Sequence, residues 1–285
     1  MGRDLTSIVD DVIDLPTLPQ VVTTLIEIID RPQSTARDVQ IVMERDPALA
    51  ARILKLVNSA FYALPNRISS IGQAVVILGY NTVKSLAISA SVVDLFGEGG
   101  KDFNYEDFWA HSVGSAAVSY ALAKRTRQVD PDTAFVTGLM HDMGKIVLDQ
   151  YAPDEFHRIL TIARDKEIPF EQAEGEVLDT SADEVGYWLA QKWALADDLG
   201  EAIRFQHRVD EAPSDEVRDL AAICAFAVYV CQVKEFGRCG SFGRPEFPRQ
   251  AWERVGLHRE ELPRFIKTVN EELHHADEFL KILRS

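Results

Sequence analysis

The chain has 285 residues, is 46% hydrophobic and carries a formal net charge of -15. It is long enough to bury a sizeable core in one large domain or two ordinary ones, and its acidity argues against a sequence-independent grip on nucleic acid or anionic lipid, which needs basic surface. No run approaches the roughly 18 apolar residues of a membrane span, and Asp4, Asp10, Asp11 and Asp14 stand where a signal peptide would be basic and then apolar. The expected location is the cytoplasm, with neither nucleic acid nor membrane as partner.

Helical periodicity runs through the chain, and no segment alternates as a strand does. Val21, Val22, Leu25, Ile28 and Ile29 share one apolar face, and a helix follows over about 35 to 45. Asp46-Pro47 then pairs a capping acid with proline at a first helical position, ahead of the face formed by Leu49, Ile53, Leu56 and Val57. Asn58-Ser59 has the character of a helix end whose side chains satisfy loose backbone groups. Further helices are predicted at about 70 to 78, 81 to 96, 105 to 128, 131 to 149, 154 to 166, 182 to 192, 196 to 207 and 215 to 235. Gly79 separates the first two of these, Asp130-Pro131 marks a start, and Ser181-Ala-Asp-Glu184 reads as a capping box.

Gly97-Glu-Gly-Gly100 is a seam, and the glycine- and proline-bearing stretch from Gly237 to Pro248 is a second. They divide the chain into an N-terminal helical subdomain at 1–97, a second helical subdomain at 101–236 and a C-terminal helical extension at 249–285. Residues 101–240 hold 14 basic against 26 acidic side chains, so an anion approaching there needs a bound cation or a few placed bases to offset the field.

Cys224 and Cys231 lie too far apart along one helix to pair closely, and Cys239 follows in a loop, so all three read as buried free thiols. In the last helix Leu262, Ile266, Val269, Leu273, Ala276, Leu280 and Leu283 form a heptad stripe, widened by Phe265 and Phe279. Docking on the chain's own core is the favoured use of that stripe, and a homodimer through the C-terminal helix is the alternative.

The chemistry-bearing run is Gly138-Leu-Met-His141-Asp142-Met-Gly144-Lys145. Neighbouring helical residues point about 100 degrees apart, so His141 and Asp142 share an ion only where the helix ends, and Gly144 supplies such an end. His111, on the preceding long helix, is the best third ligand in a helical hairpin. Imidazole and carboxylate suit one divalent iron, manganese or zinc ion, which can polarise a phosphoryl oxygen and activate water. Lys145 either contacts an anion or is a C-terminal helix residue favoured by the dipole.

His111, His141-Asp142 and the following Gly-Lys resemble the metal-dependent phosphohydrolase superfamily named after its His-Asp doublet. From about Leu15 to Val230 the chain is more similar to the HDOD branch, the HD-related output domains of bacterial signalling proteins. That resemblance rests on Leu15-Pro-Thr-Leu-Pro19, Asp46-Pro-Ala-Leu-Ala-Ala-Arg52, Leu56-Val-Asn-Ser-Ala-Phe-Tyr62 and Ile68-Ser-Ser-Ile-Gly-Gln-Ala-Val-Val-Ile-Leu-Gly79. It implies an all-α fold, an HD-domain-like multi-helix bundle with an N-terminal helical subdomain, acting as a signalling output or adaptor module.

Against active members of that superfamily the site looks incomplete. A late-helix aspartate corresponds to Val228; in members with two metals, a histidine near the start of the helix predicted at 182 to 192 corresponds to Ala182, with Asp183 as a substitute, and a His-His pair to Gln206-His207. The surviving metal candidates are His111, His141, Asp142 and His207, with Asp142 and Lys145 the catalytic candidates if the protein is active. The expected function is a non-hydrolytic adaptor that meets signalling proteins in trans. The alternative is a metal-dependent phosphohydrolase acting on nucleotide or cyclic-dinucleotide phosphoesters; a nucleotide or cyclic dinucleotide bound without turnover is a third reading.

Overall fold

The structure is a computed structural model that describes residues 15–97 and 103–284, so Glu98 to Gly100 of the first seam lie outside the described residues. Among the described residues the secondary structure is helical and contains no strand. The all-α fold expected from periodicity is observed.

The N-terminal part holds α1 (Gln20–Ile29), α2 (Ala36–Met43), α3 (Pro47–Val57), α4 (Ile71–Leu78) and α5 (Tyr80–Phe96). Local chemistry explains its boundaries. Thr35 and Asp38 form a capping box at α2, the Asp46 carboxylate accepts from Leu49 N at 3.0 Å, and Ser70 Oγ accepts from Gln73 N at 3.2 Å. Asn58 clamps the return of the chain: its amide donates to Ile68 O at 2.8 Å and its oxygen accepts from Ile68 N at 2.8 Å. The motif around Asn58 is therefore structural, as its residue types suggest.

The second part comprises α6 (Tyr105–Thr126), α7 (Pro131–Met140), α8 (Met143–Tyr151), α9 (Pro153–Lys166), α10 (Phe170–Glu174), α11 (Ala182–Lys192), α12 (Asp197–Arg204) and α13 (Asp215–Val233). Then come α14 (Arg249–Val255) and α15 (Leu262–Leu283). Helix α6 is the central post, packed on α7, α13 and α15. Trp109, Val113, Ala117, Val118 and Leu122 bury its successive faces, as befits a helix surrounded on all sides.

Several contacts join the parts, among them a ring cluster and two hydrogen bonds, one of them from Trp193 Nε1 to Pro16 O at 2.9 Å. Phe61, from the Asn58 motif, packs on Phe135 of α7 and Phe279 of α15 with ring centroids 5.6 and 5.4 Å away. Thr82 Oγ1 donates to Asp132 Oδ2 at 2.8 Å. Val269, Leu273, Ala276, Leu280 and Leu283 of the heptad stripe are buried within the chain, while Ile266 is exposed.

Several local features differ from expectation, including the helix predicted over 196 to 207, which ends at Arg204. The helix predicted over 131–149 is broken at His141-Asp142 into α7 and α8. The Ser181 box is half formed: its hydroxyl accepts from Glu184 N, but the Glu184 carboxylate turns to Arg204 Nε at 2.8 Å, a tertiary ion pair in place of a local bond. The five-residue α10 is too short to show periodicity.

Candidate metal centre

The break between α7 and α8 is held by a side chain 65 residues away. Lys145 N bonds to Asp142 O at 2.9 Å, a short turn that leaves the His141 carbonyl without a helical donor. Gln206 Nε2 supplies one at 2.8 Å and also donates to Asp183 Oδ1 at 2.9 Å. Gln206, which departs from the superfamily's histidine pair, thus maintains the junction that presents His141 and Asp142.

Gly144 does not end a helix, contrary to expectation; it lies inside α8. A Cβ there would stand 1.8 Å from the Ala182 carbonyl oxygen, so only glycine lets α8 meet the start of α11. Lys145 likewise is no C-terminal helix residue. It sits in the first turn of α8, buried, with Nζ 2.8 Å from the Asp142 carboxylate and 4.9 Å from the Phe170 ring centroid. The ammonium is thus desolvated and paired, which the sequence pattern alone did not indicate.

His111, His141 and Asp142 each offer a ligand atom, and these atoms lie within 4.8 Å of one another. All three residues are buried. His141 Nδ1 is 2.8 Å from the Gly138 carbonyl, to which it can donate, and Nε2 lies 3.1 Å from the Asp142 carboxylate. That Nε2 and both His111 ring nitrogens are buried without a well-formed hydrogen bond. Burial pushes His111 down to about 4, against the pull of Asp142, so its imidazole is neutral and available as a ligand. Burial acts to raise Asp142, but the adjoining His141 and Lys145 hold it well below the usual carboxylate range. Orphaned imidazole nitrogens beside an ionised carboxylate fit one divalent cation.

The other expected ligands are engaged elsewhere. His207 is outside this trio and pairs through Nδ1 with Asp183 Oδ2 at 2.7 Å. Burial alone would lower His207, but the Asp183 carboxylate overrides it and raises the imidazole to about 10. Asp183 is therefore committed to Gln206 and His207. Ala182 donates its backbone N–H to Glu174 at 2.8 Å. Val228 is buried on α13 and lines a cleft of about 750 Å³ that His111 and His207 also line. It presents hydrocarbon where a carboxylate was sought.

Two neighbouring groups were not anticipated at this site. Glu174 on α10 is buried and raised to about 8, chiefly by burial and further by Asp183. Cys239 was expected as a buried free thiol, and it is one, as are Cys224 and Cys231. Its place in the cleft that His111 also lines comes from chain folding.

The family whose description is HDOD domain matches residues 15–209. An uncharacterized protein of Treponema pallidum (strain Nichols) is 28% identical over 222 residues, covering 78% of this chain and 43% of the relative. The Bacillus subtilis (strain 168) protein YuxH is 26% identical over 154 residues, 54% of this chain and 35% of its own length. The chain thus spans less than half of these curated relatives. An HDOD domain protein of unknown function from Geobacter sulfurreducens has a similar structure, with a TM-score of 0.82, 27% identity and 96% of both chains covered. A candidate phosphohydrolase from Shewanella amazonensis SB2B gives a TM-score of 0.77 at 25% identity, over 96% of this chain and 97% of its own. A candidate signal transduction protein from Marinobacter aquaeolei VT8 shares the fold, with a TM-score of 0.76 at 21% identity, over 97% of this chain and 61% of its own.

Proposed function

The chain belongs to the HDOD domain family, and from that premise we propose that it is a signal-transduction module that acts through protein contacts and does not turn over a phosphoester. The observation that carries this reading is the state of the His-Asp site. Asp142 is neutralised by Lys145 at 2.8 Å, and the late helix offers the cleft Val228 in place of a carboxylate. Such a site lacks the negative charge that would orient a metal-bound water, and catalysis suffers from that loss more than folding does. The partners are signalling proteins met in trans, in a bacterial cytoplasm. Among the described residues no helix is long and apolar enough to cross a membrane.

The test is hydrolysis of nucleotides, cyclic dinucleotides and an activated phosphodiester by the purified chain with manganese, iron or zinc. Turnover at background level is expected. Robust turnover abolished by His141→Ala and by Asp142→Ala would overturn the proposal.

The second reading is a metal-dependent phosphohydrolase with one ion on His111, His141 and Asp142. It is favoured by three ligand atoms within 4.8 Å and by the orphaned imidazole nitrogens. Elemental analysis decides for or against its premise: protein purified without chelator must retain, or take up, about one equivalent of a transition metal.

A further inference from the structure

The seam between the N-terminal part and the His-Asp half holds a cavity of about 230 Å³, at the end of α7 remote from His141. Its walls come from the end of α1, from α5, from the first turns of α7 and from the turn between α11 and α12. Ile26, Ile88, Val136, Leu195 and Leu199 give it an apolar lining. The turn that brings Leu195 is a shaped one. Ala194 takes left-handed backbone at φ +50°, and Leu195 N bonds to Ala190 O at 3.1 Å, a helix ending that leaves Leu195 buried.

Charge in this cavity does not balance. Asp30, Lys84 and Asp132 line it, and the Lys84 ammonium is already taken by Asp30 at 2.9 Å. Asp132 forms no ion pair among the described residues; its hydrogen bond comes from the Thr82 hydroxyl at 2.8 Å. The nearby Asp130 repels it, and Lys124, which attracts it from α6, holds its ammonium over the Tyr120 ring. Burial outweighs the Thr82 bond and the Lys124 charge, and pushes the Asp132 carboxyl up to about 6. A carboxylate held partly out of water without a cation is costly, and a cation brought beside it offsets that cost.

We propose that this cavity binds a small organic ammonium ion, with its nitrogen on the Asp132 carboxylate and its apolar body against Ile88, Val136 and Leu195. Size agrees with this: an apolar cavity of about 150 Å³ takes benzene, so the larger one here takes a compact ring or branched chain with a charged end. The net negative charge of the lining residues disfavours a carboxylate or phosphate as the bound group. Apolar walls with a few polar anchors, set between two parts of a chain, are the usual make-up of a small-molecule pocket. A ligand there touches both parts at once, so its binding reinforces the Phe61 ring cluster and the Thr82 bond that join them. The site goes beyond the adaptor reading, to which it supplies an input of stated chemistry, and does not depend on it.

The test is isoleucine-methyl NMR of the full chain, titrated with ligands of one shape: cyclohexylamine, cyclohexanol and cyclohexanecarboxylate. The amine should shift the Ile26 and Ile88 methyl signals in a saturable way, and leave in place those of Ile159 and Ile223, which are buried elsewhere in the fold. Cyclohexanol should bind at least about tenfold more weakly, the worth of a hydrogen bond to a charged group. The carboxylate should leave the signals unmoved. In Asp132→Asn the amine should fall to the affinity of cyclohexanol, while the side chain keeps an oxygen to accept from Thr82 and the fold is retained. No saturable shift, equal binding of amine and alcohol, preferred binding of the carboxylate, or an unchanged amine titration in Asp132→Asn would each overturn the proposal. Should the variant not fold, the comparison of ligands on the unsubstituted protein decides alone. Hydrolytic turnover by the His-Asp centre would defeat the adaptor reading and leave this site standing.

Discussion

The Asn58 clamp and the His-Asp centre are both built from polar side chains at helix ends, yet they differ in completeness. At Asn58 the amide and its oxygen find partners in Leu54 and Ile68, and the motif is satisfied within the chain. At the centre, Asp142 and Lys145 satisfy each other, but both ring nitrogens of His111 and Nε2 of His141 are buried without a well-formed hydrogen bond. Buried polar groups are costly when unpaired, so the contrast separates a motif that serves the fold from one that still addresses a ligand.

The largest effect that would break this contrast is expected from Lys145→Met. It strands the buried Asp142 carboxylate, and chemical denaturation of metal-free protein should show a loss of about 3–5 kcal/mol. Gln206→Leu comes next, because it deprives the His141 carbonyl and Asp183 of a donor; the same measurement should fall by about 1–3 kcal/mol. Asn58→Ala, at a more exposed clamp, should cost about 1 kcal/mol and leave metal uptake untouched, as elemental analysis of the folded variant would report. The smallest effect on stability sharpens the comparison most. In chelator, His111→Leu should unfold within about 1 kcal/mol of the parent protein, since no well-formed hydrogen bond is lost, while metal uptake disappears. A loss beyond about 2 kcal/mol in chelator would mean that His111 serves the fold as Asn58 does.

Much of this was legible residue by residue. The caps at Asp46 and Asp130 and the periodic faces announced the helices, and the spacing of His111 to His141-Asp142 on adjacent helices anticipated the trio. His207 was not distinguishable from a ligand by sequence, because its commitment to Asp183 depends on how α11 and α12 meet. Glu174 gave no signal either: its burial follows from the packing of a five-residue helix.

By itself the sequence determined the all-α class, the family and the identity of the three central donors, because capping, periodicity and ligand type are properties of short stretches. Only the tertiary structure decided that Gln206 holds the break at His141, that Lys145 turns inward to Asp142, and that the chain beyond α13 brings Cys239 into the cleft that His111 and Val228 line. Each of these depends on helix packing or chain return: Gln206 is 65 residues from the carbonyl it satisfies, and even the local Lys145 contact needs the break at His141 and burial beneath Phe170. No local pattern encodes such placements.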